Sequence, residues 1–303
     1  EQYYQVAEFF TRPDEKLWGT GEAFVRGGQQ FWFFFTHVAS YTNNPSNPGA
    51  MFFDPETMDA QVNNPGWVKA LEDYVRSVKY SPPGALNWGS GDVRTSFAAG
   101  MIAMNFDWGD TGVMGADKAE SKIAGYAGTA LTPGSHQIWN HKSKKWDYFA
   151  KVVKSPFMAF GGWQAAVPLA SRNQAAAWNY IETTTNPEVS LTAALTGGSG
   201  VNPYRFSHFT PTRWLKKFSK READEYLAAQ QASLDAPNVA LDMRLPGYFS
   251  YTEILEIELS KALAGHTSPK AALDSIASQW NELTDEFGRE KQLAAYRASM
   301  GIK

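Results

Sequence analysis

Asp107 and Trp108 are the residues whose types and setting first suggest chemistry. They close an apolar run, residues 101–106, with the length and flanking of a buried strand. Open α/β sheets hold ligands at the carboxyl ends of their strands. A carboxylate accepts paired hydroxyls through two oxygens, and an indole offers a flat apolar face to a sugar ring. The same tryptophan could instead plug the edge of a core. Tyr204 and Arg205 form a second group. They follow the loop Gly197-Gly198-Ser199-Gly200, where backbone N–H groups and a guanidinium can converge on a ligand. A surface ion pair is the plainer use of Arg205.

Catalytic patterns are weaker. Gly197-Gly198-Ser199-Gly200-Val201 places valine where a nucleophile elbow needs its last glycine. No Gly-x-Gly-x-x-Gly or Gly-x-x-x-x-Gly-Lys run is present to cradle phosphates. His37, His136, His141, His208 and His266 lack metal-ligand spacing, and Asp107 with Asp110 lacks the calcium-loop pattern. Neither a metal nor a cofactor is expected. Glu253, Glu256 and Glu258 read as a charged helix face, and Lys142, Lys144 and Lys145 as a solvated turn.

These groups must be positioned by a helix-dominated α/β chain. Helices are expected over residues 2–11, 22–35, 65–78, 172–182, 187–196 and 248–263, with one or two more over 211–234 and a last one from Ser268 onward. Gly100 should stop a short helix ahead of the strand at 101–106. Further strands are expected at 123–131 and 159–168, a hairpin or polar excursion over 135–154, and loop over 41–65. At 303 residues the chain exceeds one ordinary core, so two lobes are expected. A net charge of −3 and a pI near 6.0 give no reason to expect nucleic acid. Aromatics reach 14%, with 11 Trp, enough for a core and a handful of stacking platforms. The absence of cysteine excludes disulfides, thiolate metal sites and a lipoprotein anchor within this sequence. No apolar run approaches the roughly 18 residues of a membrane span. No basic and apolar leader opens the chain, so a signal peptide is expected to have been removed or to lie outside it.

Phe97, Gly100, Ala103, Met104 and Trp108 spell F-x-x-G-x-x-A-M-x-x-x-W. This resembles the signature of the extracellular solute-binding proteins of carbohydrate ABC importers (family 1 type, maltose-binding-protein-like). Gly161-Gly162-Trp163-Gln164-Ala165-Ala166-Val167-Pro168, with Ser171 beyond, resembles the family's G-G-W-x-x-A-I-P-x-x-S run. Gly198-Ser199-Gly200-Val201-Asn202-Pro203-Tyr204-Arg205 resembles its T-G-x-x-P-x-R loop, and Leu263-Ala264-Gly265 through Ser268-Pro269 to Leu273 its closing L-x-G-x-x-S-P-E-x-A-L block. The four blocks occur in the family's order.

The resemblance implies a periplasmic-binding-protein-like two-lobe α/β fold, helix-rich. The family opens with a long strand-rich segment, whereas this chain starts at a helix expected well inside the pattern. The first lobe is therefore expected to be incomplete, as in a fragment or processed chain, with normally covered surface exposed. By analogy, residues 1–130 and 207–303 would build the second lobe, 131–157 a polar excursion or crossover, and 158–206 the remaining piece of the first. The implied function is binding a sugar or sugar alcohol by lobe closure and delivering it to membrane permease subunits. The protein would be periplasmic, non-enzymatic, and a monomer when full length. Aligned with the family's contacts, Trp32, Gly162, Trp163, Ser199, Tyr248 and Tyr251 join Asp107, Trp108, Tyr204 and Arg205 as ligand-binding candidates. Gly161 and Gly162 should mark a lobe crossover, and the loop at 197–200 should face the cleft of Trp108. A glycan-active hydrolase is the alternative and needs two carboxylates about 5–9.5 Å apart. Binding of a polyamine or oligopeptide is another, the polyamine wanting several cleft acids where Asp107 alone is clear.

Overall fold

The computed structural model describes residues 1–159 and 162–302. Helix α1 (Gln2–Phe10) leads to strand β1 (Trp18–Gly21), then to α2 (Gln30–Thr42) and α3 (Pro65–Val78). Helix α4 (Ser90–Ala98), strand β2 (Ile102–Asn105) and helix α5 (Asp110–Ala116) follow. The hairpin β3 (Ser135–Asn140) and β4 (Lys145–Val153) precedes β5 (Phe157–Met158), α6 (Gln174–Thr185) and α7 (Pro187–Ala194). Helix α8 (Lys220–Leu234), strand β6 (Ala240–Leu241) and helices α9 (Tyr248–Leu263), α10 (Pro269–Phe287) and α11 (Arg289–Met300) complete the order. None of these helices is long and apolar enough to cross a membrane.

Local sequence explains the best-defined ends. Asn64 caps α3, its side chain accepting from the Gly66 and Trp67 amides at 2.8 and 3.1 Å, with Pro65 in the first turn where a missing N–H costs nothing. Helix α4 ends in a Schellman motif. Gly100 is left-handed at φ 71°, its N–H bonds to Phe97 O, and the Met101 N–H bonds to Ser96 O, both at 2.9 Å. The chain is thereby turned straight into β2, which pairs in parallel with β1 in the register Trp18↔Ile102, Thr20↔Met104 and Gly21↔Asn105. The strand is shorter and less covered than expected. Ile102 is buried, while Met104 is partly buried against Tyr4, Ala7 and Tyr80. A two-stranded sheet cannot shield both its faces.

Several elements depart from the expected pattern. The apolar run at 22–35 becomes helix only from Gln30, because left-handed Gly27 (φ 76°) and Gln29 (φ 72°) hold a turn before it. No strand forms over 123–131. Side chains of α8 take backbone groups there: Glu222 accepts from the Gly125 N–H at 2.8 Å, and Arg221 donates to the Gly125 and Ala127 carbonyls, both at 3.1 Å. Residues 162–168 form no ladder, and the expected crossover residue Gly161 lies outside the described residues. Past Ser268 the single expected helix is two, divided at Gly288 (φ 89°). The hairpin lies within the expected 135–154.

The principal core gathers Phe31, Phe34, Phe35, Phe53, Trp67, Tyr74, Leu255 and Trp280 from α2, α3, α9, α10 and the loop between α2 and α3. A second apolar cluster joins Val113 and Ala116 of α5, Leu191 and Ala194 of α7, and Trp214, Phe218, Tyr226 and Leu227 in and before α8. It draws residues from three of the expected sequence divisions, 1–130, 158–206 and 207–303. Helix α6 buries none of its residues.

Candidate functional site

Where β2 runs out, Asp107 and Trp108 emerge beside α2, α4 and α5. The Trp108 ring meets Trp32 edge-on, centroids 5.5 Å apart at 89°, and Phe33 at 6.2 Å. The Arg94 guanidinium lies 5.7 Å from the Trp108 centroid. That guanidinium is claimed by two acids. It bonds to Asp107 Oδ1 at 2.7 Å and to Asp110 Oδ2 at 3.1 Å, and both carboxylates are only 2% exposed. Burial pushes Asp107 and Asp110 above the usual carboxylate range, and Arg94 only partly opposes it. Asp107 is thus committed to holding Arg94 rather than open to paired hydroxyls.

On the far side of Trp32, its indole Nε1 donates to Asp242 Oδ2 at 2.9 Å and bonds with the Tyr248 hydroxyl at 3.1 Å. The Tyr248 hydroxyl also reaches Asp242 Oδ2 at 3.1 Å, and the Met243 amide donates to Asp242 Oδ1 at 2.8 Å. Burial, reinforced by the Asp242 charge, raises the Tyr248 hydroxyl far above its ordinary range, so it keeps its proton and donates a hydrogen bond to Asp242. Trp108, Trp32, Tyr248 and Asp242 make one continuous group of two indoles, a phenol and a carboxylate.

The remaining candidates divide. The 197–202 loop approaches Gly109 and α5: a Cβ built on Gly109 would stand 2.8 Å from Asn202 Oδ1, and one on Gly197 3.1 Å from Met114 Cγ of α5. Within that loop Ser199 Oγ closes the end of α7, donating to Ala193 O at 2.7 Å. Arg205 donates to the Thr185 carbonyl at the end of α6 and lies 5.4 Å from the Tyr204 ring. Tyr204 is 53% exposed, its ring edge-on to His208 at 5.0 Å. Gly162 is exposed with φ 114°, and the neighbouring Trp163 is 82% exposed. Tyr251 is fully buried among Phe53 and Trp280, with its hydroxyl 2.9 Å from Thr284 Oγ1. It is a core residue, because one turn further along α9 the neighbours are Phe53 and, on α10, Trp280 rather than Trp32.

No protein-family model matches the sequence. Among solved structures, an ABC transporter solute-binding protein from Agrobacterium radiobacter K84, in complex with ribitol, matches with a TM-score of 0.71 at 21% identity, over 93% of this chain and 63% of that one. Another from Agrobacterium vitis S4, with bound D-mannitol, gives 0.67 at 21% identity, over 95% and 66%. Maltose-bound T. maritima MalE3 gives 0.70 at 18% identity, over 92% and 64%. The fold is that of the ABC-transporter solute-binding proteins. This chain spans less than two thirds of the length of these structures.

Within the solute-binding fold, sequence reasoning missed Arg94 and Asp110 as partners of Asp107 beside Trp108, and Asp242 as the partner of Trp32 and Tyr248. Asp242 carried a usable signal, for Val239-Ala240-Leu241-Asp242 is an apolar run ending in an acid, like the run ending at Asp107. Arg94 carried none, since its reach to Asp107 depends on how α4 lies against the end of β2. Among the described residues, no group of three or more His, Cys, Asp or Glu is arranged to hold a metal ion.

Proposed function

We propose that this chain is part of an extracytoplasmic solute-binding protein that captures a sugar or sugar alcohol and hands it to the permease of an ABC importer. The observation that carries the reading is the Trp108, Trp32, Tyr248 and Asp242 group at the carboxyl end of β2. Trp108 is the partly buried platform of that group, backed by buried Trp32 and Asp242, which hold it in place, and such an indole suits the apolar face of a hydroxylated solute. Relatives in fold hold ribitol, D-mannitol and maltose. The activity is binding without covalent chemistry. Asp107 and Asp110 share one guanidinium, which leaves neither free as the independent acid or base of a glycosidase.

The protein acts by closure of two lobes, with a lobe beyond this chain completing the cleft. Trp163 and Tyr204, both exposed, would meet the solute or the other lobe on closure, and the unburied face of α6 offers that lobe a seat. Ligand contacts made only in the closed state would drive the hinge. The working unit is a monomer.

A thermal-shift panel of ribitol, D-mannitol, maltose and spermidine on the protein carrying both lobes, followed by calorimetry, tests the reading. A ligand that binds only the native state stabilises it by about 2.7 kcal/mol at a hundredfold excess over Kd. A rise with a sugar or sugar alcohol supports the proposal, and a panel in which none of them moves the transition overturns it. One observation favours a second reading. Asp107, Asp110 and Asp242 lie on either side of the two indoles, and a cluster of acids is what a polyamine would want. Stabilisation by spermidine alone would select it.

A further inference from the structure

The outer face of α3 is used by nothing above. Its core side carries Trp67, Ala70, Leu71 and Tyr74, all buried. Pro65, Val68, Lys69 and Glu72 recur at helical spacing on the opposite side. The β3–β4 hairpin brings an indole to that side. Trp139 and Trp146 are directly opposed in its ladder and so share a face, and their rings pack edge to face at 5.7 Å. Trp146 is thereby held by a second ring while part of its own surface stays open. Between Trp146 and α3 lies a recess of about 370 Å³, with Asn63 and Lys270 also on its wall. That volume falls within the range of small-molecule clefts, about 300–1,000 Å³.

The recess joins an apolar floor to a hydrogen-bonding rim whose charges largely cancel. Pro65, Val68 and the Trp146 ring supply the apolar surface. Lys69 is paired with Asp73 and Lys270 with Asp274. An ammonium carries three N–H donors, so each lysine keeps donors to spare. Asn63 Nδ2 donates to Asp274 at 2.9 Å, and its Oδ1 remains an acceptor. Glu72 is exposed and makes no ion pair among the described residues. A cation entering here would meet two ammonium groups, and an anion would meet Glu72 and the partners of both lysines. An acyl chain would leave the rim without partners. An uncharged molecule with a flat apolar face and hydroxyls at its edge answers both parts: the face stacks on the indole, and the hydroxyls donate to Glu72 and Asn63 and accept from the lysines.

We infer that this recess is a second, peripheral binding site for a short neutral saccharide, with Trp146 as its platform and Glu72 as the acceptor of paired hydroxyls. None of its residues belongs to the Trp108 group and all of them belong to this chain. It works without a second lobe, and the inference stands apart from the solute-binding reading.

Titration of the chain as it is with maltotriose, cellotriose and xylotriose tests it, by NMR of the tryptophan indole N–H groups and by calorimetry. The Trp146 resonance is assigned by its absence from the Trp146→Phe spectrum. At least one trisaccharide should shift it, and choline and glucuronate should not. Trp146→Ala should lower the calorimetric affinity about thirtyfold and Glu72→Gln about tenfold, while Trp108→Ala leaves it unchanged. Because Glu72 is exposed, its variant should keep the parent melting temperature, which separates a lost contact from a lost fold. No shift with any trisaccharide, an equal response to choline or glucuronate, full affinity in Glu72→Gln, or loss of affinity in Trp108→Ala overturns the inference.

Discussion

Replacing Trp108 by alanine separates two uses of one indole. As a stacking platform it should supply about 2 kcal/mol of binding, near thirtyfold in affinity. As a core plug it should supply about 3–5 kcal/mol of stability. The ring is partly buried and touches Trp32 by an edge, which leaves ring surface to present. The expected outcome is a large loss in titrations with the stabilising solute and a smaller fall in unliganded melting. Arg94→Met should behave oppositely. It strands two buried carboxylates and should cost about 3–5 kcal/mol of stability, read from urea midpoints. His37 adds a pH dependence. Its Nε2 lies 2.7 Å from Glu22 Oε2, deep in the protein, beside the Tyr74 and Phe106 rings. Burial pushes the imidazole down, but the Glu22 charge and hydrogen bond, with Asp73 adding to them, carry it above the ordinary 6.5. A raised folded value means the stabilisation is complete below 6.5 and fades as pH rises through the folded value. The stability gap between the parent and His37→Gln should therefore be widest in mild acid and shrink in mild base, by about 1.4 kcal/mol for each tenfold gain in proton affinity. A gap that widens with pH would refute the pairing.

At the scale of elements, the approach of α1 to β1 rests on one missing side chain. A Cβ on Gly19 would fall on the Ala7 carbonyl, and a backbone atom cannot rotate away. Gly19→Ala should lift α1 from the strand and cost about 3 kcal/mol, the upper end of overpacking, visible as a lower urea midpoint. Gly84→Ala is the control. Gly84 has φ 85° and open space around it, so only left-handed strain of about 1–2 kcal/mol remains. Equal costs would show that packing at Gly19 is loose. The same contrast explains what could be read beforehand. Helices α3 and α9 were legible end to end, because capping residues and apolar spacing are written locally: Asn64-Pro65 at one start, Gly265 (φ 74°) past the other end. The strand expected over 123–131 was not, because its backbone partners arrive from Arg221 and Glu222 far along the chain. At the candidate site the position of Asp107 and Trp108 was legible from the strand end, while the capture of Asp107 by Arg94 was a tertiary event. Tyr248 and Tyr251 looked equivalent in sequence, since residues three apart share a helix face, and which partner packs at each level of α9, Trp32 at one and Trp280 at the other, is set by the tertiary fold.

For the whole molecule, burial is unevenly shared, and that predicts where it opens first. The core around Trp67 and Trp280 closes over α2, α3, α9 and α10. Residues 162–173 have no ladder or helical bonds, and α6 beyond them buries nothing while leaving Trp178 and Tyr180 exposed at 55% and 70%. Local opening costs little where few apolar contacts are lost. A protease needs an extended stretch of backbone, and exposed segments outside secondary structure supply it. Arg172 is exposed in the middle of this region. Limited trypsin treatment should therefore cut first after Arg172, giving two pieces that stay associated until denatured, because α7 and α8 remain joined to α5 through the second apolar cluster. Amide exchange in α6 should run far ahead of that in α3. The exposed lysines of the β3–β4 turn are the sharpest competitors, since they are accessible yet held by a ladder that must break before cleavage. A first cut after Lys144 or Lys145, with α6 amides as protected as those of α3, would show that α6 is held by contacts the described surface does not provide.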